Sequence, residues 1–273
     1  MTFRPSGHFG SLCITVILLF GTASLTADEA VTPLRQAHAH NDYAHKRPLL
    51  DALDHGFCSV EADVFLVNGK LLVGHTMFEL KADRTLESLY LDPLLERVKK
   101  NGGRVYKDGP PIFLLVDFKS KADPTYEVLR KILPKYESML SRVEEGKFIQ
   151  GAVTVVISGD RPFAAAKAEK VRLVGIDGRP IELERTEPAH FIPMISESWS
   201  SLFKWRGDGE MPEAERTKLK SIVEKAHQTG RVVRFWATPE KEAIWNELAD
   251  AGVDLLNTDD LAGLEEFLVK RQK

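Results

Sequence analysis

Short apolar runs alternate with amphipathic stretches along the chain from about residue 34 to the C-terminus. The runs are rich in β-branched residues, which is typical of buried strands, and the intervening stretches repeat apolar positions at helical spacing. Strands that alternate with helices indicate a parallel sheet covered by helices, and eight strands favour a closed (β/α)8 TIM barrel over an open sheet. We predict the eight strands at Leu34–Ala39, Cys58–Phe65, Ile112–Asp117, Val153–Ile157, Arg172–Ile176, His190–Ile195, Val232–Trp236 and Asp254–Asn257.

Helical patterns occupy most of the gaps between these strands, and two connections are irregular. The gap at 177–187 is short, and we expect it to lack a full helix. Between two apolar runs, Asn68-Gly69 is typical of a type I′ hairpin, which would extend the second strand above the barrel mouth and return His75 to it. The predicted helices are 46–55, 85–101, 123–140, 161–169, 212–229, 239–251 and 260–270.

The first 27 residues have a different pattern. Arg4 precedes the apolar run Leu12–Phe20, and small residues follow up to Ala27, as in a secretory signal peptide. The run is shorter than the roughly 20 apolar residues of a membrane span, and no later stretch reaches that length. We therefore predict a signal peptide at 1–27, a single barrel domain at 28–273, a secreted or periplasmic location and no transmembrane segment in the mature chain.

Charge and cysteine content exclude other classes. The formal net charge is −3 and no basic block occurs, so we expect no nucleic-acid partner. Once residues 1–27 are removed, Cys58 is the single cysteine, so stability must come from a core and not from an intrachain disulfide. We expect a monomer.

Polar side chains end most of the predicted strands. In a TIM barrel the carboxyl ends of the strands face the active site, so these side chains are candidates for chemistry. They are His40-Asn41-Asp42, Glu61, Asp63, Asp117, Lys119, Ser158, Asp160, Asp177, Ser196-Glu197, Trp236 and Asn257-Thr258-Asp259.

Three of these residues form a candidate metal site. Glu61 and Asp63 are two apart on one strand and point to the same face, and Asp117 ends the apolar run of the next strand. Carboxylates crowded inside a barrel repel one another unless a cation neutralises them. An all-oxygen set favours one divalent cation, Mg²⁺ or Ca²⁺, with water completing the shell.

Two histidines, His40 and His75, form a candidate acid–base pair. His40 follows strand one and His75 closes the hairpin after strand two, which brings both to the same rim. One imidazole can accept a proton while the other donates one, as cleavage of a phosphodiester requires. Lys119 adds a positive charge for the phosphate oxygens. We expect His38 to be a buried, hydrogen-bonded strand residue instead.

The motifs together resemble the glycerophosphodiester phosphodiesterase and phosphatidylinositol phospholipase C-like superfamily. They are "HND" at 40–42, "DALDHGFCSVEADVFLVNGKLLVGH" at 51–75, "LLVDFK" at 114–119, Trp236 and "GVDLLNTDDL" at 252–261. The resemblance implies a (β/α)8 barrel with His40 and His75 as the catalytic pair, and Glu61, Asp63 and Asp117 as metal ligands. It further implies that Lys119 contacts phosphate, that Trp236 lines the substrate pocket and that Asn257 and Asp259 belong to the strand-eight signature.

The chain also departs from that pattern. Typical glycerophosphodiesterases begin with His-Arg-Gly and carry a Glu-Asn-Thr segment, whereas this chain has His-Asn-Asp and no such segment. The spacing of its histidines is closer to the sphingomyelinase D-like branch, but Thr76–Leu80 has no cysteine for the disulfide-bridged loop of that branch. Asn41 and Asp42 therefore become candidates for setting the substrate, and we include Asn41 and Asn257 among the expected substrate contacts.

The sequence-based hypothesis is a secreted, metal-dependent phosphodiesterase acting on glycerophosphodiesters or (lyso)phospholipids. Two alternatives stay open. His38-Ala39-His40 is a His-x-His pair as in metal-dependent amidohydrolases, where both imidazoles bind zinc, and Asp259 also fits that pattern. The other alternative is a secreted barrel without catalytic activity.

Overall fold

The computed structural model describes residues 1–2 and 31–272. The chain divides into the units Met1–Ala30 and Val31–Lys273, and every element named below belongs to the second. The predicted signal peptide falls almost entirely on residues 3–30, outside the described residues. Within 31–272, no helix is both long enough and apolar enough to cross a membrane.

Twelve strands and eight α-helices are present in the described chain. The strands are β1 (Leu34–Ala39), β2 (Phe57–Val67), β3 (Lys70–Val73), β4 (Ile112–Phe118), β5 (Arg142–Glu144), β6 (Lys147–Ile149), β7 (Val153–Gly159), β8 (Val171–Arg172), β9 (Val174–Gly178), β10 (Met194–Ser198), β11 (Val232–Trp236) and β12 (Leu255–Thr258). The helices are α1 (Leu50–Asp54), α2 (Asp92–Lys100), α3 (Ala122–Ile132), α4 (Phe163–Lys167), α5 (Trp199–Leu202), α6 (Glu213–Gln228), α7 (Glu242–Asp250) and α8 (Leu261–Arg271).

Eight parallel strands close into a barrel. Their order is β1-β2-β4-β7-β9-β10-β11-β12, and β1 pairs with both β2 and β12, which completes the circle. The (β/α)8 prediction is confirmed, and each of the eight predicted strands overlaps an observed one.

The predicted boundaries fail at two prolines. The sixth strand was predicted from His190 but begins at Met194, because Pro193 has no N–H to give to the ladder and His190 lies in the preceding turn. The helix predicted at 123–140 ends at Ile132 and continues as a 3₁₀ segment, Leu133–Met139, that contains Pro134 near its start. The short sheet β6-β5-β8 and helix α5 were not predicted.

The two irregular connections have the expected form. In the hairpin, Val67 pairs with Lys70, and Asn68 and Gly69 both have positive φ, 48° and 76°, as a type I′ turn requires. The gap after β9 contains only a 3₁₀ turn, Pro180–Glu184.

Buried Arg231 takes the place of helical hydrogen bonds in that gap. Its guanidinium donates to the carbonyl oxygens of Glu182, Leu183, Arg185 and Glu187 at 2.8–3.4 Å. These bonds pair carbonyl groups that a helix would otherwise satisfy, so one side chain fixes the path of the connection.

The barrel interior changes from apolar to polar along β4, β7, β10 and β12. Leu115, Val156, Met194 and Leu255 form a separate buried cluster inside the barrel. Two residues further along the same strands, on the same face, stand Asp117, Ser158, Ser196 and Asn257. The apolar layer fills the lower half of the barrel, and the polar layer above it forms the floor of the mouth.

Candidate active site

The three predicted metal ligands lie together at the mouth. Asp63 and Asp117 are direct neighbours in the β2–β4 register, and Glu61 is two residues earlier on β2. One carboxylate oxygen of each lies within 4.8 Å of the others. Glu61 and Asp63 are buried, and Asp117 is partly exposed.

Two of the carboxylates keep an oxygen without a protein partner. The Oδ1 atoms of Asp63 and Asp117 are buried and accept no hydrogen bond among the described residues. Gly159, with φ of 70°, packs so closely on Asp117 that a Cβ there would overlap the Asp117 Oδ1 atom. Buried oxygens without donors are costly unless something else binds them, so this oxygen set fits a hard divalent cation.

Two cationic side chains partly balance these carboxylates. Lys119 Nζ lies 2.7 Å from Asp117 Oδ2 and 3.1 Å from Asp63 Oδ2. Arg234, which is buried, donates to Glu61 Oε2 and, at 2.8 Å, to Asn257 Oδ1. Lys119 contacts the Oδ2 atoms of Asp63 and Asp117, and Arg234 contacts Glu61. The Oδ1 atoms of Asp63 and Asp117 therefore keep no partner among the described residues.

The pKa values reflect this crowding. Burial, followed by the negative charge of Glu61, raises the pKa of Asp63 from 3.8 to about 6 and also raises the pKa of Asp117. Burial alone would raise the pKa of Glu61, but the charge of Arg234 and the hydrogen bond from His38 outweigh it, so the pKa lies well below its usual value. The site therefore resists full ionisation and favours a further positive charge.

His40 is held by a carboxylate at the rim. Its Nδ1 lies 2.8 Å from Asp259 Oδ1, which accepts the Nδ1 hydrogen and leaves Nε2 as the free ring nitrogen. Burial lowers the pKa of His40, but the hydrogen bond to Asp259 and the charge of Glu61 outweigh it, and the pKa lies above its usual value. Glu240 in turn accepts from the Asp259 backbone N–H at 2.9 Å and fixes this carboxylate.

His75 lies at the rim beside Asp63 and Tyr43. Its Nδ1 lies 3.1 Å from Asp63 Oδ2 and 3.1 Å from the Tyr43 hydroxyl. The same hydroxyl lies 2.8 Å from Asp63 Oδ2 and 2.5 Å from Asn41 Oδ1, so Tyr43 links the first loop to a metal ligand. Donation of the His75 Nδ1 hydrogen to Asp63 leaves Nε2 free, as in His40.

The mouth encloses a cavity of about 240 Å³. Seven of the nine predicted site residues line it: His40, Asn41, Glu61, His75, Asp117, Lys119 and Trp236. Arg179, Arg234, Ser158 and Gly159 complete the wall. Asp63 lies beneath, fully buried.

Two expectations about substrate contact need correction. Asn257 is buried and its side chain accepts from Arg234 below the mouth, so it positions Arg234 and does not line the cavity. Asp42 is fully buried and accepts from the Leu49 N–H at 2.5 Å and the Tyr90 hydroxyl at 2.8 Å, so it holds the loop and does not face a substrate.

In the zinc alternative both His38 and His40 would bind the metal, but both ring nitrogens of His38 already have protein partners. That ring is fully buried, with Nδ1 2.7 Å from the Ser59 hydroxyl and Nε2 3.2 Å from Glu61 Oε2. Burial and the charge of Arg234 lower the pKa of His38 to about 3, so the ring is neutral. It is the buried, hydrogen-bonded strand histidine that the sequence predicts.

Three residues of this site were absent from the sequence-based candidates: Tyr43, Arg179 and Arg234. Asp259 was among those candidates, but its pairing with His40 was not predicted. Arg234 had a detectable signal, because it interrupts an apolar strand and shares its face with Trp236 two residues later. Tyr43 and Arg179 lie on loops, where no periodic pattern marks a side chain that points inward.

Comparison with known proteins identifies the family of this chain. The sequence matches the AIM6-like phosphodiesterase domain over residues 25–174, more than half of the chain. It also matches the glycerophosphoryl diester phosphodiesterase family over residues 232–262. The chain belongs to the AIM6-like phosphodiesterase family. The first match contains both candidate catalytic histidines and all three candidate metal ligands, and the second contains Arg234 and Asp259.

Two similar proteins come from Candida glabrata and Arthroderma benhamiae. "Altered inheritance of mitochondria protein 6" of Candida glabrata is 31% identical over 306 aligned positions, which cover 90% of this chain and 73% of that protein. The "Altered inheritance of mitochondria protein 6 homolog" of Arthroderma benhamiae is 30% identical, over 82% of this chain and 81% of that protein.

A solved structure shares the fold. The crystal structure of a glycerophosphodiester phosphodiesterase from Parabacteroides distasonis superposes with a TM-score of 0.54 at 13% identity, over 89% of this chain and all of that one. Membership in the glycerophosphodiester phosphodiesterase and phospholipase C-like superfamily is confirmed, and the nearer likeness to the sphingomyelinase D-like branch stays a prediction.

Proposed function

We propose that the protein is a divalent-cation-dependent phosphodiesterase that cleaves glycerophosphodiesters or (lyso)phospholipids, with His40 and His75 as the acid–base pair. The observation that carries the proposal is the acidic triad with two partnerless oxygens, next to a cavity flanked by two carboxylate-held imidazoles. The family assignment supports phosphodiester chemistry.

The residues of the mouth have complementary tasks in this proposal. A cation held by Glu61, Asp63 and Asp117 would offset negative charge on a phosphate oxygen. Lys119 and Arg179 line the same cavity and provide further positive charge for the other oxygens.

The two imidazoles move the protons. One takes the proton of the attacking hydroxyl through its free Nε2, while the other donates a proton to the alkoxide that leaves on the opposite side of phosphorus. If the attacking hydroxyl belongs to the substrate, the product is a cyclic phosphate. If it belongs to water, the product is a phosphomonoester.

We also propose that the protein is exported and acts outside the cytoplasm. This rests on the signal-peptide pattern at 1–27 alone. Amino-terminal sequencing of the protein recovered from culture medium or periplasm should find a start near residue 28, and an intact start at Met1 would contradict the proposal.

Phosphorus NMR with purified protein tests the catalytic proposal. Glycerophosphodiesters, lysophospholipids and sphingomyelin are offered with Mg²⁺, with Ca²⁺, with Zn²⁺ and with a chelator, which also separates phosphodiester cleavage from the non-catalytic alternative. His40→Ala and His75→Ala should each lower turnover by about 10² to 10⁴. Glu61→Gln should weaken cation binding more than it lowers the free energy of unfolding.

The matched control is His227→Ala. His227 is also paired with a carboxylate, Asp254 at 2.8 Å, but next to the start of β12 at the other end of the barrel. It should keep parental turnover. Near-parental, cation-dependent turnover in both His40→Ala and His75→Ala would refute the assignment.

A further inference from the structure

A second and larger cavity adjoins the mouth. Its volume is about 790 Å³, and it shares Asn41 and His75 with the 240 Å³ catalytic cavity. Its walls come from the loop after β1, residues 41–45, and from the segment 73–84 that follows the hairpin. We call it the side groove. An alcohol that extends from the 240 Å³ cavity past His75 enters the side groove, because His75 lines both cavities.

Basic side chains line the side groove without carboxylate partners. His45, Lys81 and Arg84 all contribute to its wall, and none of them forms a salt bridge within the described part of the chain. Arg84 is half-buried, and one of its guanidinium nitrogens donates to the Tyr43 carbonyl oxygen at 2.6 Å, which fixes the group against the wall. Its remaining N–H groups have no protein acceptor among the described residues.

The two acidic residues of the side groove are already engaged. Glu79 accepts from the His75 backbone N–H at 2.9 Å and from the Thr76 hydroxyl at 3.1 Å, both on its own loop. Asp259 is paired with His40. The basic groups of the groove are therefore the ones available to a ligand, and a guanidinium held in place is suited to bind a phosphate in a bidentate manner.

We propose that the side groove binds a second phosphate group, carried by the alcohol portion of the diester that is cleaved in the mouth. The inference rests on the proposed phosphodiesterase function and narrows its substrate class. Arg84 and Lys81 are the specificity-determining residues. Diesters with a phosphorylated alcohol are preferred over those with an uncharged alcohol, and those with a quaternary ammonium group are disfavoured.

Three substrates that differ in one group test the proposal. They are glycerophosphoglycerol, the same compound phosphorylated on its distal hydroxyl, and glycerophosphocholine. For the parent protein we expect kcat/KM for the phosphorylated compound to exceed that for glycerophosphoglycerol by roughly tenfold or more, the usual size of a charge-assisted hydrogen bond. Arg84→Gln and Lys81→Gln should each remove most of that ratio, and Lys81→Gln should do so while kcat/KM for glycerophosphoglycerol stays within about twofold of the parental value.

The control variant is Lys107→Gln, an exposed lysine on the connection that precedes β4, and it should keep the parental ratio. Because Arg84 also supports the Tyr43 carbonyl, Lys81→Gln keeps the test valid if Arg84→Gln folds poorly. Equal kcat/KM for the two glycerol compounds in the parent, or an unchanged ratio in Lys81→Gln, overturns the side-groove proposal. Cleavage of lysophospholipids but of none of these three compounds overturns the side-groove proposal alone. Failure of the parent to cleave any phosphodiester of either panel overturns the phosphodiesterase proposal itself, so the two failures are distinguishable.

Discussion

Replacement of Asp42 by asparagine is expected to change how the stability of the protein depends on pH. Asp42 is fully buried, and its Oδ2 accepts from the Leu49 N–H and from the Tyr90 hydroxyl. Burial raises the pKa of Asp42 from 3.8 to about 7, and these two hydrogen bonds oppose the shift only in part.

The sign and size of the effect follow from that shift. Because the pKa is higher in the folded state than in the unfolded state, the folded protein binds the extra proton between roughly pH 4 and pH 7, and the free energy of unfolding falls as the pH rises through that window. One pKa unit corresponds to about 1.4 kcal/mol, so the shift of about three units predicts a loss of about 4 kcal/mol from Asp42 alone.

Urea unfolding of the parent and of Asp42→Asn between about pH 4 and pH 8 measures this contribution. Asparagine keeps an acceptor for Leu49 and Tyr90 but cannot ionise, and other titrating groups cancel when the two proteins are subtracted. The difference, parent minus variant, should become less favourable by up to about 4 kcal/mol over this range. A difference that does not vary with pH would refute the reasoning, whereas a constant offset from the new amide group would not.

Three further predictions address the site and its support. Gly159→Ala should weaken Mg²⁺ or Ca²⁺ binding, measured by calorimetry, by about tenfold or more, and it should lower the free energy of unfolding by more than about 1 kcal/mol. The control is Gly146→Ala. Gly146 has a similar positive φ of 74° but open space around it, so this variant should show only the backbone cost. Arg231→Met should lower the free energy of urea unfolding by about 3 kcal/mol or more, because buried carbonyl groups lose their donor, and a loss below 1 kcal/mol would contradict this. Asp259→Asn removes the carboxylate charge that helps to raise the pKa of His40, so the pH–rate limb governed by His40 should move to lower pH, and an unmoved limb would show that the pairing has no such effect.

The fold could be predicted in most respects because its signals are local. Eight apolar runs of strand length separated by helical periods leave few other architectures, and Asn68-Gly69 specifies its own turn. The errors in element boundaries occur where a proline interrupts the backbone hydrogen bonds that the apolar pattern alone would continue, as at Pro134 and Pro193. The sheet β6-β5-β8 escaped prediction because strands of two or three residues carry no periodicity.

The site was predictable to the extent that it lies on strands. Glu61, Asp63 and Asp117 are placed by period two and by neighbouring strand ends, and the structure brings their carboxylates together. Asn257 shows the limit of this reasoning. It lies on the inward face as expected, but whether such a residue meets substrate or a neighbouring side chain depends on what fills the space above it, here the buried Arg234.

Arg234 links polar side chains from several strands of the barrel. Its guanidinium on β11 binds Asn257 on β12 and Glu61 on β2, and Glu61 also accepts from His38 on β1. This chain of contacts runs through the strands where β1 closes the barrel between β12 and β2. Because Glu61 is held from that side, it is a fixed ligand, whereas Asp63 and Asp117 keep free oxygens for a cation. A substitution that breaks this chain of contacts should therefore disturb both the closure of the barrel and the position of the carboxylate triad.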